Sequence, residues 1–396
     1  MRRLPDYYEF QSSAKVLSGK FALENIPQEL KNLGAERPMV LSDGILEKIG
    51  TLGMVLDALG SGDIEIGGMD TDIPADSSLT VVHRIAEEFR QKGCDSLVAV
   101  GGGSVIDTAK GVRMVLSQDV DDILDIWGCE NLTRGKWIPF VAVPTTSGTG
   151  SESTLVAVIK NEARKLKMEF ISYFLQPDVA VLDPRMTETL PPKTTASTGM
   201  DALCHAVEAY TCLQKNPLSD AYATAAIQLI GENLETAVKN GKDKKARMAM
   251  ANASMMAGSA FSNSMVGIIH AIGHALGGVC HAPHGDAMTI LLPHGMAYNY
   301  RLCGELYGEL LLPLAGEEVF CSTPKGERGK QAIREVWALR RRLHRLCGLP
   351  ERLRDCGVTR SDFQRVAETA INDGAMLVNP RPAELEDVLI ILERAY

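Results

Sequence analysis

The sequence contains no run of 18 or more apolar residues, so it predicts no transmembrane helix. It also lacks a basic excess, since 41 Lys and Arg stand against 50 Asp and Glu and give a formal net charge of −9. This acidic balance argues against nucleic acid and against an anionic membrane surface as partners. The first residues lead into no apolar segment of signal-peptide length. We therefore expect a cytoplasmic protein.

Paired cysteine motifs are absent as well. The nine cysteines are odd in number and scattered, with no Cys-x-x-Cys pair. This pattern is typical of reduced thiols and not of a disulfide framework. What remains is the composition of an ordinary globular protein, 45% hydrophobic and 23% charged. A chain of 396 residues has enough material for two or three domains.

Apolar patterning divides the chain into two parts. In the first, short β-type runs alternate with helical patterns, which predicts a mostly parallel sheet covered by helices. We expect strands at 38–42, 63–66, 96–100, 139–143 and 179–183, helices at 79–93 and 104–117, and a hairpin formed by 154–160 and 167–172. In the second, we expect helices at 196–213, 217–238, 244–262, 265–279 and 330–346, with a surface loop at 315–330. The predicted domains are an α/β domain over residues 1–187 and an all-α domain over residues 188–396.

A glycine-rich turn, Gly101-Gly-Gly-Ser104, follows the predicted strand at 96–100 and opens a helix. Glycine lets backbone N–H groups approach a ligand closely, and a helix N-terminus favours phosphate. The spacing departs from the Gly-x-Gly-x-x-Gly dinucleotide fingerprint, because Ile106 occupies the last glycine position. The alternative is a strand-to-helix turn that binds no ligand.

A second polar loop, residues 144–152, follows the next strand and reads Pro-Thr-Thr-Ser-Gly-Thr-Gly-Ser-Glu. Its hydroxyls and glycines suit phosphate or ribose contacts at the carboxyl ends of the strands, where open α/β sheets bind ligands. The alternative is a capped helix entry with Ser151 or Thr149 as N-cap. Two such loops in succession favour a Rossmann-like nucleotide-binding domain.

Asp43 ends the first clear strand. An acidic residue at this position can accept hydrogen bonds from an adenosine ribose and would repel the 2′-phosphate of NADP. The alternative is a turn aspartate, because Ser-Asp-Gly is common turn chemistry.

Titratable residues cluster in the helical half. Asp201 and His205 are four residues apart and share one helix face. Four of the eight histidines fall between residues 270 and 284, namely His270, His274, His281 and His284. An aspartate with imidazoles is a mixed oxygen and nitrogen ligand set, suited to Fe²⁺ or Zn²⁺.

The spacing alone does not select among these four histidines, and a single histidine on an apolar helix face is more often a structural residue than a ligand. The pattern His-x-x-x-His also occurs in zinc hydrolases, which place a glutamate directly after the first histidine. Here Ala271 occupies that position.

Five segments in this order resemble the iron-containing (group III) alcohol dehydrogenase family. They are residues 101–110, 144–152, 199–208, 267–285 and 379–382. The resemblance spans nearly the whole chain. It implies a dehydroquinate synthase-like architecture, an oxidoreductase that uses NAD and Fe²⁺ or Zn²⁺, and a homodimer or higher homo-oligomer.

The resemblance also assigns residues. It implies four metal ligands, Asp201, His205, His270 and His284, and it places His274 near the nicotinamide, where it helps to move a proton. Phe261 falls where the family lines its substrate pocket. The implied pyrophosphate contacts are Gly102, Gly103 and Ser104. Other implied cofactor contacts are Asp43, Thr145, Thr146, Thr149, Thr154 and Lys167. His281 is an additional imidazole to which the resemblance gives no role.

Three rival hypotheses follow from the same residues. Relatives of the architecture that act on phosphate-bearing substrates would want Arg or Lys beside the metal motifs, and residues 199–213 and 267–285 contain none. A metal-dependent hydrolase or lyase of related fold that does not use NAD would not need the two polar loops. A non-catalytic scaffold would have no reason to retain converging polar groups, which are costly to bury.

Overall fold

The computed structural model describes residues 5–128, 132–164 and 166–396. These residues form two compact units. The α/β unit is Gln11–Thr189, and the helical unit is Leu190–Tyr396 together with the segment that ends at Phe10. The division falls two residues after the boundary predicted from the sequence, and it assigns residues 5–10 to the helical unit.

The α/β unit is built on a six-stranded parallel sheet. Its order is β1-β8-β5-β4-β2-β3, and β6 and β7 form a separate antiparallel pair. The strands are β1 (Lys15–Ser18), β2 (Pro38–Leu41), β3 (Gly68–Asp70), β4 (Ser96–Gly101), β5 (Phe140–Pro144), β6 (Val156–Asn161), β7 (Leu166–Ile171) and β8 (Val179–Leu182). The predicted parallel sheet and hairpin are confirmed.

The strand expected at 63–66 is wrong. Asp63 has a φ of 56°, in the turn after a helix, and the strand forms only at Gly68–Asp70. Left-handed φ is incompatible with extended β geometry.

Side chains of the sheet alternate between two hydrophobic clusters, one on each face. Leu97 and Ala99 belong to one cluster, whereas Val98 and Val100 belong to the other. The helices of this unit are α1 (Ile26–Asn32), α2 (Gly44–Lys48), α3 (Thr51–Ser61), α4 (Leu79–Lys92) and α5 (Gly103–Gln118). A strand buried on both faces explains why β4 is continuously apolar in the sequence.

The helical unit has one large hydrophobic cluster, to which all of its long helices contribute. The helices are α6 (Pro192–Thr211), α7 (Pro217–Lys239), α8 (Lys244–Ser262), α9 (Ile268–Cys280), α10 (His284–Ser322), α11 (Arg328–Cys347), α12 (Phe363–Ile371) and α13 (Leu385–Ala395). No helix among the described residues is both long enough and apolar enough to cross a membrane.

The surface loop expected at 315–330 is wrong. Helix α10 continues to Ser322, with a kink at Gly316 (φ 82°), and α11 begins at Arg328. The backbone breaks at Gly316, and helical structure resumes after it, where Val319 and Phe320 pack against the hydrophobic cluster.

Candidate active site

Three helices of the helical unit bring the predicted metal ligands together. Asp201 and His205 lie one turn apart on α6, His270 lies on α9, and His284 begins α10. One side-chain atom each from Asp201, His270 and His284 lies within 4.8 Å of the others, which is the spacing of a metal site. Oδ1 of Asp201 is 3.4 Å from Nε2 of His284 and 3.9 Å from Nε2 of His270.

Three polar atoms at this point are buried without a hydrogen-bond partner. They are Oδ1 of Asp201, Nδ1 of His205 and Nε2 of His270. Each unsatisfied buried group of this kind costs about 1–3 kcal/mol. Two of them, Oδ1 of Asp201 and Nε2 of His270, lie 3.9 Å apart within the 4.8 Å cluster. A divalent cation between them would satisfy both, and it binds an oxygen and nitrogen set of this composition.

His205 lies beside this group but outside the 4.8 Å cluster. Its Nδ1 is 4.0 Å from Oδ2 of Asp201. Its ring stacks on His270 at 4.4 Å between centroids and on Phe261 at 4.3 Å. The assignment of His205 as a fourth ligand therefore stays a prediction, as does the place of Phe261 in a substrate pocket.

Burial sets the protonation states of the cluster. It lowers the pKa of both His205 and His270 to about 3, which leaves each imidazole neutral with a free lone pair. For Asp201, burial acts to raise the pKa, but the neighbouring imidazoles outweigh it and hold the pKa well below its usual range. A carboxylate beside neutral imidazoles is the state in which these groups bind a metal.

His274 lies one turn after His270 on α9 and pairs with a carboxylate. Its Nδ1 is 2.9 Å from Oδ2 of Asp373, and its ring is parallel to that of His284 at 5.6 Å. For Asp373, burial acts to raise the pKa, but the hydrogen bond to His274 prevails and lowers it. His281, by contrast, is exposed and ends α9 with a left-handed φ of 56°.

Sequence reasoning missed the two carboxylates that hold these histidines, Glu208 and Asp373. Glu208 was visible as the last residue of the 199–208 motif, three residues after His205. Asp373 gave no signal, since it is 99 residues from His274 along the chain. Asn379 contributes to the same region, because its Oδ1 accepts the N–H of Ile268 at 3.1 Å.

In the α/β unit, the two polar loops contact each other. Gly101 and Pro144 are paired at the carboxyl ends of β4 and β5, so the loops leave the sheet side by side. A Cβ atom on Gly103 would lie 2.9 Å from Cγ2 of Thr149, and one on Gly102 would lie 3.3 Å from Oγ1 of Thr146. The close approach of the polar loop at 144–152 therefore favours glycine here, most strongly at Gly103.

Helix α5 begins at this contact. Its N-cap is Gly102, which supplies no side-chain hydrogen bond to the first turn. The N-terminal N–H groups of a 16-residue helix thus lack a side-chain cap, an arrangement that suits a phosphate. Thr145 is buried behind the turn, where its N–H donates to the carbonyl of Gly101 at 3.0 Å. Ser104 Oγ donates to the carbonyl of Ala75.

A buried lysine holds the segment that follows the polar loop at 144–152, and sequence reasoning gave it no role. Lys110 is fully buried, and its Nζ donates to Oγ1 of Thr154 at 2.8 Å and to the carbonyl of Val156 at 2.7 Å. Burial lowers the pKa of Lys110 to about 8. Nearby, Asp107 accepts a hydrogen bond from Oγ of Ser151 at 2.6 Å. Thr154, predicted to contact the cofactor, is 2% exposed and holds this lysine.

The remaining predicted cofactor contacts have identifiable local roles. Asp43 caps α2, since its Oδ1 accepts the N–H groups of Ile45 at 2.9 Å and Leu46 at 3.0 Å. This is the turn role that the sequence left open, and the ribose contact stays a prediction. Lys167 forms an ion pair with Asp76, with Nζ 2.8 Å from Oδ1.

Comparisons with known proteins agree with both units. The family model "Iron-containing alcohol dehydrogenase" matches residues 13–184, and "Fe-containing alcohol dehydrogenase family, C-terminal" matches residues 195–396. The chain is 35% identical over 379 residues to an NAD-dependent methanol dehydrogenase of Bacillus methanolicus, covering 95% of this chain and 97% of that protein. It is 37% identical over 380 residues to a 1,3-propanediol dehydrogenase of Klebsiella pneumoniae, covering 96% of both chains.

Solved structures give the same result. A 1,3-propanediol oxidoreductase superposes with a TM-score of 0.93 at 34% identity, covering 98% of this chain and 100% of that one. A sulfoacetaldehyde reductase from Bifidobacterium kashiwanohense, solved in complex with NAD⁺, superposes with a TM-score of 0.87 at 26% identity, covering 99% of both chains.

Proposed function

The chain belongs to the iron-containing alcohol dehydrogenase family, and we propose that it is a metal-dependent, NAD-linked oxidoreductase that interconverts a small primary alcohol or diol and its aldehyde. The observation that carries this proposal is the cluster of Asp201, His270 and His284 within 4.8 Å, in which Oδ1 of Asp201 and Nε2 of His270 are buried without a hydrogen-bond partner. Such atoms are costly in an apolar interior unless a ligand completes them.

Asp201, His270 and His284 would hold the ion, with His205 as the fourth ligand. A divalent ion supplies Lewis acidity, which lowers the pKa of an alcohol oxygen or polarises an aldehyde carbonyl. Fe²⁺ and Zn²⁺ both suit one carboxylate with imidazoles. The neutral state of the buried histidines, with pKa values of about 3, keeps their lone pairs available near neutral pH.

The α/β unit would hold NAD. The uncapped N-terminus of α5, with Gly102, Gly103 and Ser104, would bind the pyrophosphate. Asp43 would accept the ribose hydroxyls, and the remaining contacts would come from Thr145, Thr146, Thr149, Thr154 and Lys167. NAD supplies the acceptor for the hydride that leaves the alcohol carbon.

His274 would carry the alcohol proton towards solvent. Its Nδ1 is held by Asp373 at 2.9 Å, which orients the ring, and its side chain is 28% exposed. A partly exposed histidine held by a carboxylate can pass a proton to water.

The names of two relatives, dehydrogenases of methanol and of 1,3-propanediol, support a small substrate. Phe261, which stacks on His205 at 4.3 Å, would present an apolar surface to the substrate's carbon chain.

The test is a panel of short alcohols, diols and aldehydes assayed with NAD(H), after the metal-stripped protein is reconstituted with Fe²⁺, Zn²⁺ or Mn²⁺. We expect metal-dependent formation or consumption of NADH with at least one compound. Absence of NADH turnover with every metal, together with no binding in an NAD titration, would instead favour the metal-dependent hydrolase.

A further inference from the structure

The carboxylate of Glu208 joins the N-terminus of α9 to the ring of His270. Its Oε1 accepts the N–H of Ile269 at 2.8 Å. Its Oε2 lies 3.3 Å from the backbone N of His270 and 2.6 Å from Nδ1 of the same residue's ring. Glu208 is 3% exposed, so water does not compete for these contacts.

The surroundings leave little freedom for this contact. A Cβ atom on Gly267 would lie 3.1 Å from Oε1 of Glu208 and 2.7 Å from Oδ1 of Asn379, so glycine is required where the chain enters α9. Asn379 accepts the N–H of Ile268, and its other hydrogen bonds among the described residues join it to Asn299 and Arg381 and not to an imidazole. Two side chains therefore cap the same helix, and Glu208 alone also holds the histidine.

The ring of His270 has its two nitrogens in different environments. Nδ1 faces Glu208, whereas Nε2 is buried, has no hydrogen-bond partner and lies 3.9 Å from Oδ1 of Asp201. A ring nitrogen that donates a proton to a carboxylate leaves the other nitrogen with its lone pair free. Carboxylates in this position fix the tautomer of a metal-binding histidine and raise its basicity.

We propose that Glu208 is a positioning residue for the metal centre: it holds the proton of His270 on Nδ1, so that the lone pair of Nε2 points at the ion. This inference rests on the proposed metal site and deepens it. Glu208 itself is not among the ligands, because both of its oxygens are engaged at the start of α9.

The variant Glu208→Gln separates the two roles of the carboxylate. The amide oxygen can still accept the N–H of Ile269, which preserves a cap on α9. The amide nitrogen has only donors to offer, so facing Nδ1 it would favour the tautomer that carries its proton on Nε2. That proton would block the lone pair, and we expect the affinity for metal to fall about 10- to 100-fold.

The experiment titrates the full-length, metal-stripped protein with Co²⁺ alone against a competing chelator, without NAD or alcohol. Two quantities are recorded, the dissociation constant and the visible d–d absorption spectrum, which reports the ligand set. Asn379→Ala is the matched control, since it removes the other cap of α9 and leaves the pair of Glu208 and His270 in place. All proteins are compared at temperatures where circular dichroism shows them folded.

Weaker Co²⁺ binding and an altered spectrum in Glu208→Gln, with the wild-type spectrum in Asn379→Ala, would support the inference. Wild-type affinity and spectrum in Glu208→Gln would overturn it and leave the proposed function standing, as would equal effects of the two variants. A wild-type chain that binds no Co²⁺ would overturn both.

A second measurement needs no variant of Glu208. In the metal-free wild type labelled with ¹⁵N-histidine, the resonances of His270, assigned by their loss in His270→Ala, should show a protonated Nδ1 and an unprotonated Nε2. The opposite tautomer would overturn the inference even if Glu208→Gln did not fold.

Discussion

The carboxylate of Asp373 lies 2.9 Å from Nδ1 of His274 and also caps the short helical turn that follows it, where Oδ1 accepts the N–H of Ala375 at 2.9 Å. In the proposed proton path, this pair would present the opposite ring nitrogen of His274 for proton transfer. The relationship gives a direct test of the proposed proton path.

Asp373→Asn should lower kcat for alcohol oxidation by roughly 10- to 100-fold and leave the metal content unchanged. The asparagine oxygen can keep the cap on Ala375, but its NH₂ group would favour the wrong tautomer of His274, and a general acid–base contributes about 10²–10⁴ to a rate. Steady-state kinetics and metal analysis measure both quantities. Asp362→Asn, at an exposed capping aspartate, is the control. Unchanged kcat would show that the ring does not depend on Asp373.

His270→Ala should lose both bound metal and turnover, because it removes one of three atoms that lie within 4.8 Å of one another. Metal per chain after dialysis and the rate of NADH formation are the measurements. His281→Asn is the matched control, since His281 is exposed and asparagine tolerates its φ of 56°. Full activity in a metal-free His270→Ala protein would contradict the metal hypothesis.

We expect the wild type to prefer NADH over NADPH because of the charge on Asp43. Asp43→Ser should raise the ratio of kcat/KM for NADPH to that for NADH about tenfold, or ~1.4 kcal/mol, while serine still caps α2. Asp243→Ser is the control, because Asp243 caps α8 through the N–H groups of Lys245 and Ala246. A wild type that uses NADPH as well as NADH would rule out this role for Asp43.

Because Lys110 is buried, the free energy of unfolding of the α/β unit should change with pH in the alkaline range. Burial lowers its pKa from 10.5 to about 8, so between these values the unfolded state binds the extra proton and stability rises with pH. The free energy of unfolding of the wild type, minus that of Lys110→Met, should increase by roughly 3 kcal/mol from pH 8 to 10.5. Urea denaturation at several pH values measures it, with the exposed Lys242→Met as control. A difference that is constant with pH would contradict the prediction.

Much of the fold could be predicted because its signals are local. The apolar run of β4 and the glycine turn after it identify a buried strand and a helix start within a few residues. The prediction failed where local and tertiary preferences disagree. Gly316 does interrupt the helix, as its sequence signal suggests, yet a helix and not a loop follows it, because Val319 and Phe320 pack against the helical cluster.

For the candidate site, too, the sequence predicted the local relationships, and packing decided the distant ones. Helical periodicity by itself placed Asp201 and His205 on one face of α6, since residues four apart are neighbours on any α-helix. Periodicity cannot say which histidine of another helix meets that face. Only the packing of α6 against α9 and α10 brought His270 and His284 to Asp201. The same packing left His281 exposed at the C-terminal end of α9, where its backbone is left-handed. Packing also chose Glu208 and Asp373 as the carboxylates that hold His270 and His274, because contacts across 62 and 99 residues of chain depend on how the helices cross.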